Sequence, residues 1–205
     1  MTLPRYFAAA YPGSKNIVYE VDAGVIKLAR ERLDLREDEN LKVHEGDGRV
    51  ALRHDSEGPY DLVMGDAFGH HSPPWHLTTQ EAVEDARRLL REGGIYALNM
   101  IDFPPLNFAK AEIETVRKVF PHVLLVATAE ALAQKDGSNF IVLASMHPLP
   151  VEQLQARIKA WKNPWTWSLV VADEQATAAF SQGALALRDD YAPVDQLVTV
   201  PFQYW

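Results

Sequence analysis

Three acidic side chains in the early part of the chain stand where a carboxylate could bind or deprotonate a ligand. Glu20 ends the run NIVYE, Asp47 lies within EGDGR, and Asp66 lies within MGDAF. Each follows a run of residues that is typical of a β-strand. Ligands of open α/β sheets bind beyond the carboxyl ends of the strands, so three successive strands would bring three carboxylates to one edge. The structural alternative for each acid is to cap a helix or to pair with Lys or Arg.

The positions of the three acids suit different chemistry. A carboxylate at the end of a second strand can accept both hydroxyl groups of a ribose, which fits Glu20. Asp47 can accept a hydrogen bond from an exocyclic amino group such as that of adenine, and the flanking glycines let a flat ring approach. Asp66 could orient or deprotonate an amine, or hold a cation. We predict Asp66 as the catalytic residue and the following nucleoside-binding set: Glu20, Val21, Gly46, Asp47 and Gly48.

A loop and a fourth strand end supply further candidates. Within GHHSPPWH, a His could accept a proton from an amine near neutral pH, bind a metal, or belong to an ordinary loop. Trp75 could stack on a ligand or pack in the core, and Asp102 could bind substrate or cap the helix that follows. Because no fourth ligand falls at a familiar spacing, we predict no metal. The predicted substrate-binding set is Asp66, His70, His71, Trp75 and Asp102.

The order of the elements predicts the fold that must position these residues. Strand-like runs alternate with helix-like segments, the clearest of which runs from a capping Thr at 78 or 79 to Gly93 and Gly94. This alternation predicts a parallel sheet with helices on both faces. The strand-like runs HVLLVATA and NFIVLASM predict an antiparallel edge hairpin. The predicted fold class is therefore α/β, a Rossmann-like sheet of the S-adenosylmethionine-methyltransferase type, in a single domain over residues 1–205.

Composition excludes several classes of protein. The chain has 205 residues, 47% of them hydrophobic, no Cys, and a formal net charge of -8. This charge argues against a general nucleic-acid binder, which needs a basic surface, and is compatible with a small cationic substrate. No apolar run reaches the length of a membrane span, and the N-terminal residues lack the features of a secretory signal. We expect a cytoplasmic protein with no membrane partner.

Three segments together resemble the spermidine synthases and their relatives, the polyamine aminopropyltransferases: VYEVDAGVIKLARERL, HEGDGRVAL and YDLVMGDAF. The stretches from DAFGHHSPPWH to NMID and LRDDYAPVDQL are similar to a spermidine-synthase-like branch, so the resemblance covers residues 3–197. It implies a methyltransferase-like fold that binds decarboxylated S-adenosylmethionine and moves its aminopropyl group to the amine putrescine. Position by position, Glu20 matches the ribose-binding acid, Asp47 with Gly46 matches the adenine-binding acid, and Asp66 matches the amine-activating acid.

The chain departs from the family pattern in two ways. The second acid of the family's D-S-S-D-P loop falls at Gly69, which weakens the hold on a diamine, because each charge-assisted hydrogen bond contributes about 1.5–3 kcal/mol. The family's N-terminal β-rich segment, first strand and glycine-rich loop have no counterpart before Glu20. We expect an N-terminally truncated domain whose sheet closes up, gains a strand from another segment, or assembles as a homo-oligomer.

Three functions stay open at this point. The first is an aminopropyltransferase that uses decarboxylated S-adenosylmethionine and a small-molecule amine. The second is a methyltransferase that uses S-adenosylmethionine itself. The third is a non-catalytic family member that acts as a binding or assembly domain.

Overall fold

Strand pairing divides the chain into two sheets, and these belong to two units, Met1–Asp55 and Ser56–Trp205. The structure is a computed structural model that describes residues 2–69, 72–161 and 168–199. Each unit contains both helices and strands.

Unit 1 is built around two parallel strands. The pairing places Val18 opposite Val43 and Glu20 opposite Glu45, so both strands deliver their carboxyl ends to the same edge. One buried cluster joins these strands to a helix and consists of Ile26, Ala29, Leu35, Leu41 and Val43. The elements of unit 1 are α1 (Thr2–Ala10), β1 (Asn16–Glu20), α2 (Ala23–Arg32), β2 (Leu41–Glu45) and α3 (Gly48–His54).

Unit 2 contains a five-stranded sheet with helices on it. Its strands are β3 (Tyr60–Gly65), β4 (Leu90–Asp102), β5 (His122–Thr128), β6 (Ser138–Ser145) and β7 (Leu169–Ala172). Its helices are a 3-10 turn (Trp75–Leu77), α4 (Gln80–Arg88), α5 (Asn107–Val119), α6 (Ala129–Leu132), α7 (Val151–Ala160), α8 (Glu174–Ser181) and α9 (Val194–Leu197).

The strand order of unit 2 is β3-β4-β6-β5-β7. Strands β3 and β4 are parallel, and β6 runs antiparallel to both β4 and β5. The predicted α/β class and the antiparallel pairing of β5 with β6 are therefore confirmed. The predicted edge position of this hairpin is wrong, because β5 and β6 each have a second neighbour in the sheet. Strand β7 extends the sheet by pairing antiparallel to β5, and this strand was not recognised in the sequence.

One predicted boundary is wrong. The helix expected to reach Gly93 and Gly94 ends at Arg88, and β4 already begins at Leu90. The pairing of β3 with β4 is irregular there, because Tyr60 pairs with Leu90 but Leu62 pairs with Ile95. Gly93 has a φ of 72°, which glycine adopts without strain. The glycine pair thus serves a strand irregularity and not a helix end.

Helix α5 carries the centre of the unit 2 core. Phe108, Ile113 and Val116 recur at helical spacing and are at most 1% exposed. Glu112 lies on the same helix with no solvent exposure. Helix α5 thus buries a carboxyl group together with its apolar side chains.

In the part of the chain that the structure describes, no helix combines the length and apolar character that crossing a membrane requires.

Candidate functional site

Glu20 lies at the carboxyl end of β1, where its side chain turns back onto the backbone. Its Oε1 accepts a hydrogen bond of 3.0 Å from the N–H of Asp22. Asp22 in turn caps α2 by accepting from the N–H groups of Gly24 at 2.7 Å and Val25 at 3.3 Å. Among the described residues Glu20 Oε2 has no hydrogen-bond partner, so Glu20 keeps an oxygen available for a ligand hydroxyl. Val21 follows, 69% exposed.

Asp47 caps α3. Its Oδ1 accepts from the N–H groups of Arg49 at 2.8 Å and Val50 at 3.1 Å. This is the structural alternative recognised for an acid at a strand end, and it commits one oxygen. The adenine-binding role of Asp47 remains a prediction.

Gly46 leaves open surface beside Asp47. Its N–H donates to the carbonyl oxygen of Glu20 at 3.0 Å, which continues the pairing of β1 with β2. A Cβ built at Gly46 meets no atom within 4 Å. Glu20, Gly46 and Asp47 therefore lie at neighbouring strand ends of unit 1, and Gly48 begins α3 directly after them.

Asp66 follows the last residue of β3 and is exposed. Its Oδ1 accepts a 2.7 Å hydrogen bond from the Nδ2 of Asn99 on β4. The Oδ1 of Asn99 accepts from Nδ2 of Asn139 on β6 at 3.3 Å. The parallel pairing of Gly65 with Leu98 explains the first contact, since it brings the next residues of the two strands together.

Neither Asn99 nor Asn139 was predicted as a site residue. The sequence did contain a signal for Asn99. It lies three residues before Asp102 on the same strand, so the two side chains lie on opposite faces, and a buried Asp102 leaves Asn99 on the other face. Asn139 could not be found from spacing, because its contact depends on the antiparallel register of β6 with β4.

Asp102 is enclosed, in contrast to Asp66. It has no solvent exposure, and its two oxygens accept from the N–H groups of Phe103 at 2.9 Å, Ala109 at 3.0 Å and Thr199 at 3.0 Å. Burial raises the pKa of Asp102 above its ordinary value, although these backbone hydrogen bonds oppose the rise. The structure therefore gives Asp102 a backbone-anchoring role, and its substrate-binding role remains a prediction.

The loop after Asp66 holds the remaining predicted residues. Trp75 is 49% exposed and lies edge-on to His76, with ring centroids 5.7 Å apart. About half of this side chain is therefore open to contact with a ligand. His70 and His71 lie outside the described residues. Within the described ranges, no group of three His, Asp or Glu side chains could hold a metal ion.

Comparison with known proteins gives a consistent picture. No family model matches the chain. A polyamine aminopropyltransferase from Vibrio vulnificus is 29% identical over 162 residues, which are 78% of this chain and 52% of that protein. The crystal structure of a probable spermidine synthase from Corynebacterium glutamicum superposes with a TM-score of 0.82 at 27% identity, covering 98% of this chain and 71% of that one.

The chain is spermidine synthase-like. Human methyltransferase-like protein 13, in complex with SAH, superposes on this spermidine synthase-like chain with a TM-score of 0.62 at 20% identity, covering 96% of this chain and 84% of that one. At this identity the likeness shows the fold alone. The chain spans about half the length of the Vibrio relative.

The position of the family's second loop acid has little room for a side chain in this spermidine synthase-like chain. The N–H of Gly69 donates to the carbonyl oxygen of Ser72 at 2.8 Å. A Cβ at Gly69 would lie 2.9 Å from that oxygen. Ser72 is itself fixed by a 2.5 Å hydrogen bond from its Oγ to Asp195. A side chain at position 69 would thus have to displace the carbonyl oxygen of Ser72.

Proposed function

We propose that the protein is an aminopropyltransferase that moves an aminopropyl group from decarboxylated S-adenosylmethionine to a small-molecule amine. The observation that carries this proposal is the likeness to a probable spermidine synthase, which extends over 98% of the chain at 27% identity. The acids at the ends of β1, β2 and β3 support it, because each has the chemistry that one part of the reaction needs.

The residues divide the work between the two reactants. Glu20 accepts hydrogen bonds from the ribose hydroxyls through its remaining oxygen, while Val21, Gly46, Asp47 and Gly48 surround the adenine. Asp66 is the catalytic residue, since it touches the reacting amine. The proposed substrate-binding set also includes Trp75, together with His70 and His71, which lie outside the described residues. Asp102 belongs to the set through the backbone N–H groups that it holds in the interior.

The reaction is a displacement at the carbon next to the sulfonium. The amine nitrogen forms a bond to that carbon, the carbon–sulfur bond breaks, and its electron pair leaves on sulfur as the neutral thioether methylthioadenosine. An aliphatic amine is protonated near neutral pH and must lose a proton to attack. Asp66 accepts that proton and orients the nitrogen, and positioning supplies much of the remaining acceleration. No step calls for a metal.

The glycine at position 69, where a Cβ would lie 2.9 Å from the carbonyl oxygen of Ser72, points to an acceptor amine other than putrescine. A diamine binds well where a carboxylate meets each ammonium group. With glycine at position 69, the second carboxylate is absent from its family position. We propose a polyamine-type amine held at one end by Asp66, in a cytoplasmic protein that forms homo-oligomers.

Calorimetry with three nucleosides tests the binding half of the proposal. Methylthioadenosine and decarboxylated S-adenosylmethionine are expected to bind, and S-adenosylmethionine to bind more weakly. Preference for S-adenosylmethionine would instead favour the methyltransferase alternative. Failure of all three to bind would leave the non-catalytic binding or assembly role.

Asp47→Asn separates capping from nucleoside binding. Asn retains an oxygen that can cap α3, so the unfolding free energy should change by at most about 0.5 kcal/mol. With that oxygen on the helix, the amide nitrogen occupies the ligand-facing position, and it cannot accept a hydrogen bond from the adenine amino group. We therefore expect weaker binding of methylthioadenosine with little loss of stability; unchanged affinity would remove Asp47 from the nucleoside site.

Asp66→Asn tests the catalytic half. We expect the variant to bind methylthioadenosine as the unaltered protein does and to lose aminopropyl transfer. Asp61→Asn is the matched control, because Asp61 is an exposed acid on the same strand that pairs with Arg91. Equal transfer rates in the Asp66 variant and the control would exclude Asp66 from the reaction.

A further inference from the structure

We propose that Asn99 is a positioning residue that fixes Asp66, with Asn139 fixing Asn99 in turn. This inference rests on the proposed function and adds two amide side chains to the acidic residues of the proposed site. Asn99 lies on β4, Asn139 lies on β6, and their side chains form a chain of amides that ends on the Asp66 carboxylate.

The hydrogen-bonding capacity of the three side chains fixes the direction of this chain. A carboxylate can only accept, so the amide nitrogen of Asn99 must face Asp66. The amide oxygen of Asn99 then faces away, where it meets the donor nitrogen of Asn139. Turning the Asn99 amide over would set its oxygen against the carboxylate and its nitrogen against another donor. The Asp66 carboxylate thus selects the orientation of Asn99, and the hydrogen bond from Asn139 adds a second contact that holds the amide in it.

The contact leaves Asp66 with one occupied oxygen and one available oxygen. Oδ1 accepts from Asn99 at 2.7 Å, and within the described ranges nothing hydrogen-bonds to Oδ2. An exposed aspartate without such a contact would rotate about its side-chain bonds and would point in several directions. Holding Oδ1 aims Oδ2, which is the oxygen that the incoming amine needs. Because reaction rates depend steeply on such alignment, this contact should appear in kcat.

The surrounding strand faces support a role at the surface and not in the core. Asn99 is half-buried and Asn139 is exposed. Ile101, two residues after Asn99 and on the same face of β4, is 40% exposed, whereas the alternate residues Met100 and Asp102 are at most 1% exposed. The amide chain therefore lies on the open face of the strand, and the core does not depend on it.

Two nearly isosteric substitutions test the proposal. Asn99→Leu removes the donor, and Asn99→Asp replaces it with a second negative charge. Since hydrogen bonds to charged groups are strong, we expect kcat for aminopropyl transfer to fall about tenfold in Asn99→Leu and further in Asn99→Asp. The KM for decarboxylated S-adenosylmethionine should change by no more than about twofold, which corresponds to about 0.4 kcal/mol of binding free energy. Asn139→Leu removes only the 3.3 Å outer contact and should lower kcat less than Asn99→Leu does.

Asp61→Asn serves again as the control outside the amide chain. Thermal unfolding of each variant reports whether a lower rate reflects a damaged fold, and Asn99→Ser, a smaller change, replaces any variant that does not fold. Unchanged kcat in both Asn99→Leu and Asn99→Asp overturns the proposal. A loss confined to the KM of the nucleoside overturns it as well.

A measurement independent of activity separates this proposal from the proposed function. The side-chain amide protons of Asn99 are observed by NMR in the unaltered protein and in Asp66→Asn. We expect their signals to shift when the charged acceptor is removed, and to move little in Asp61→Asn. Absence of a shift overturns the positioning role even in an active enzyme. A clear shift in a protein that transfers no aminopropyl group retains the contact and rejects the proposed function.

Discussion

Glu112 is a carboxyl group enclosed in the apolar core of unit 2. It has no solvent exposure, and in the described structure neither of its oxygens has a hydrogen-bond partner. Burial raises the pKa of Glu112 well above its ordinary value, because the charged form loses its hydration. A raised pKa in the folded state means that stability is complete below the pKa of the unfolded chain. Stability is then lost as the pH rises toward the folded-state pKa.

The first prediction follows from this enclosed carboxyl group. Glu112→Met replaces two unpaired polar atoms with an unbranched apolar side chain of similar length. We expect the unfolding free energy at pH 7 to increase by about 1–3 kcal/mol, the usual cost of an unsatisfied buried polar group. The decline of stability above the ordinary Glu pKa should also become shallower. Denaturant unfolding from pH 4 to pH 9 measures both effects.

Glu114, two residues along α5, provides a control of opposite sign. Burial raises the pKa of Glu114, but the hydrogen bond from Lys118 and the charge of Arg117 outweigh this, and the net pKa is lowered. Its contribution is therefore present at neutral pH and is lost on acidification. Glu114→Gln should destabilise the protein at pH 7. If Glu112→Met destabilises the protein as much as Glu114→Gln does, the prediction that the buried Glu112 carboxyl group is unpaired and costly is wrong.

The second prediction concerns Asp102, whose two oxygens hold three backbone N–H groups. An Asn at this position must turn its amide nitrogen toward at least one of these donors. We expect Asp102→Asn to lower the unfolding free energy by about 1–3 kcal/mol. Asp136→Asn is the control, because Asp136 is exposed and accepts one local hydrogen bond, from Gly137. A stable Asp102→Asn protein with an altered KM for the amine would restore the substrate-binding interpretation.

At the scale of elements, the entry into β6 depends on the absence of a side chain. A Cβ at Gly137 would overlap Cδ1 of Phe103 and lie 2.6 Å from Cγ of the same ring. We predict that Gly137→Ala lowers the unfolding free energy by about 1–3 kcal/mol through displacement of the ring. Gly46→Ala is the matched control, since its added methyl group meets no atom within 4 Å. Equal denaturation midpoints for the two variants would contradict the prediction.

Strands could be predicted from the sequence where local residue preferences and burial indicate the same element. Strands β1, β2, β3 and β5 fall within the runs recognised in the sequence, and β6 begins one residue before its run, at Ser138. The start of β4 was misread because a glycine pair after a helix is a strong local stop signal, and only pairing with β3 shows its other use. Strand β7 gives only four residues of signal, and its partner lies far back in the sequence on β5.

The residues of the candidate site could likewise be predicted from the sequence only in part. Acids at strand ends could be located from the sequence because the end of a strand is a local property. Whether such an acid faces solvent or the interior depends on strand alternation and on the helices above it, which separates Asp66 from Asp102. Asn99 acquires its role from a register, and a register is set by the whole sheet.

At the scale of the whole molecule, the two units differ in the size of their cores. The buried cluster of unit 1 joins one helix to two strands, whereas α5 and the central strands of unit 2 contain many residues at most 1% exposed. Smaller cores open more readily. We predict that backbone amides of β1 and β2 exchange with solvent at least about tenfold faster than those of β4 and β6, equivalent to about 1.4 kcal/mol. Hydrogen exchange followed by mass spectrometry measures this.

Nucleoside binding should change that pattern in one place. Ligand binding stabilises the state that binds it. Methylthioadenosine is therefore expected to slow exchange in β1, β2 and the start of α3, where the proposed nucleoside residues lie. Uniform exchange in both units would contradict the first expectation, and unchanged exchange with ligand would contradict the second.

The closed turn at Gly69 has a consequence for the ancestry and redesign of this protein. Every glycine codon is a single base from a codon for an acidic residue, aspartate or glutamate, so a carboxylate at position 69 lies one mutational step away. In this loop that step would press a new side chain against the carbonyl oxygen of Ser72, which is itself held to Asp195. Recovery of a second carboxylate therefore requires a substitution that releases the Ser72 carbonyl oxygen as well as the substitution that adds the acid at position 69. A library that varies position 69 alone would miss it.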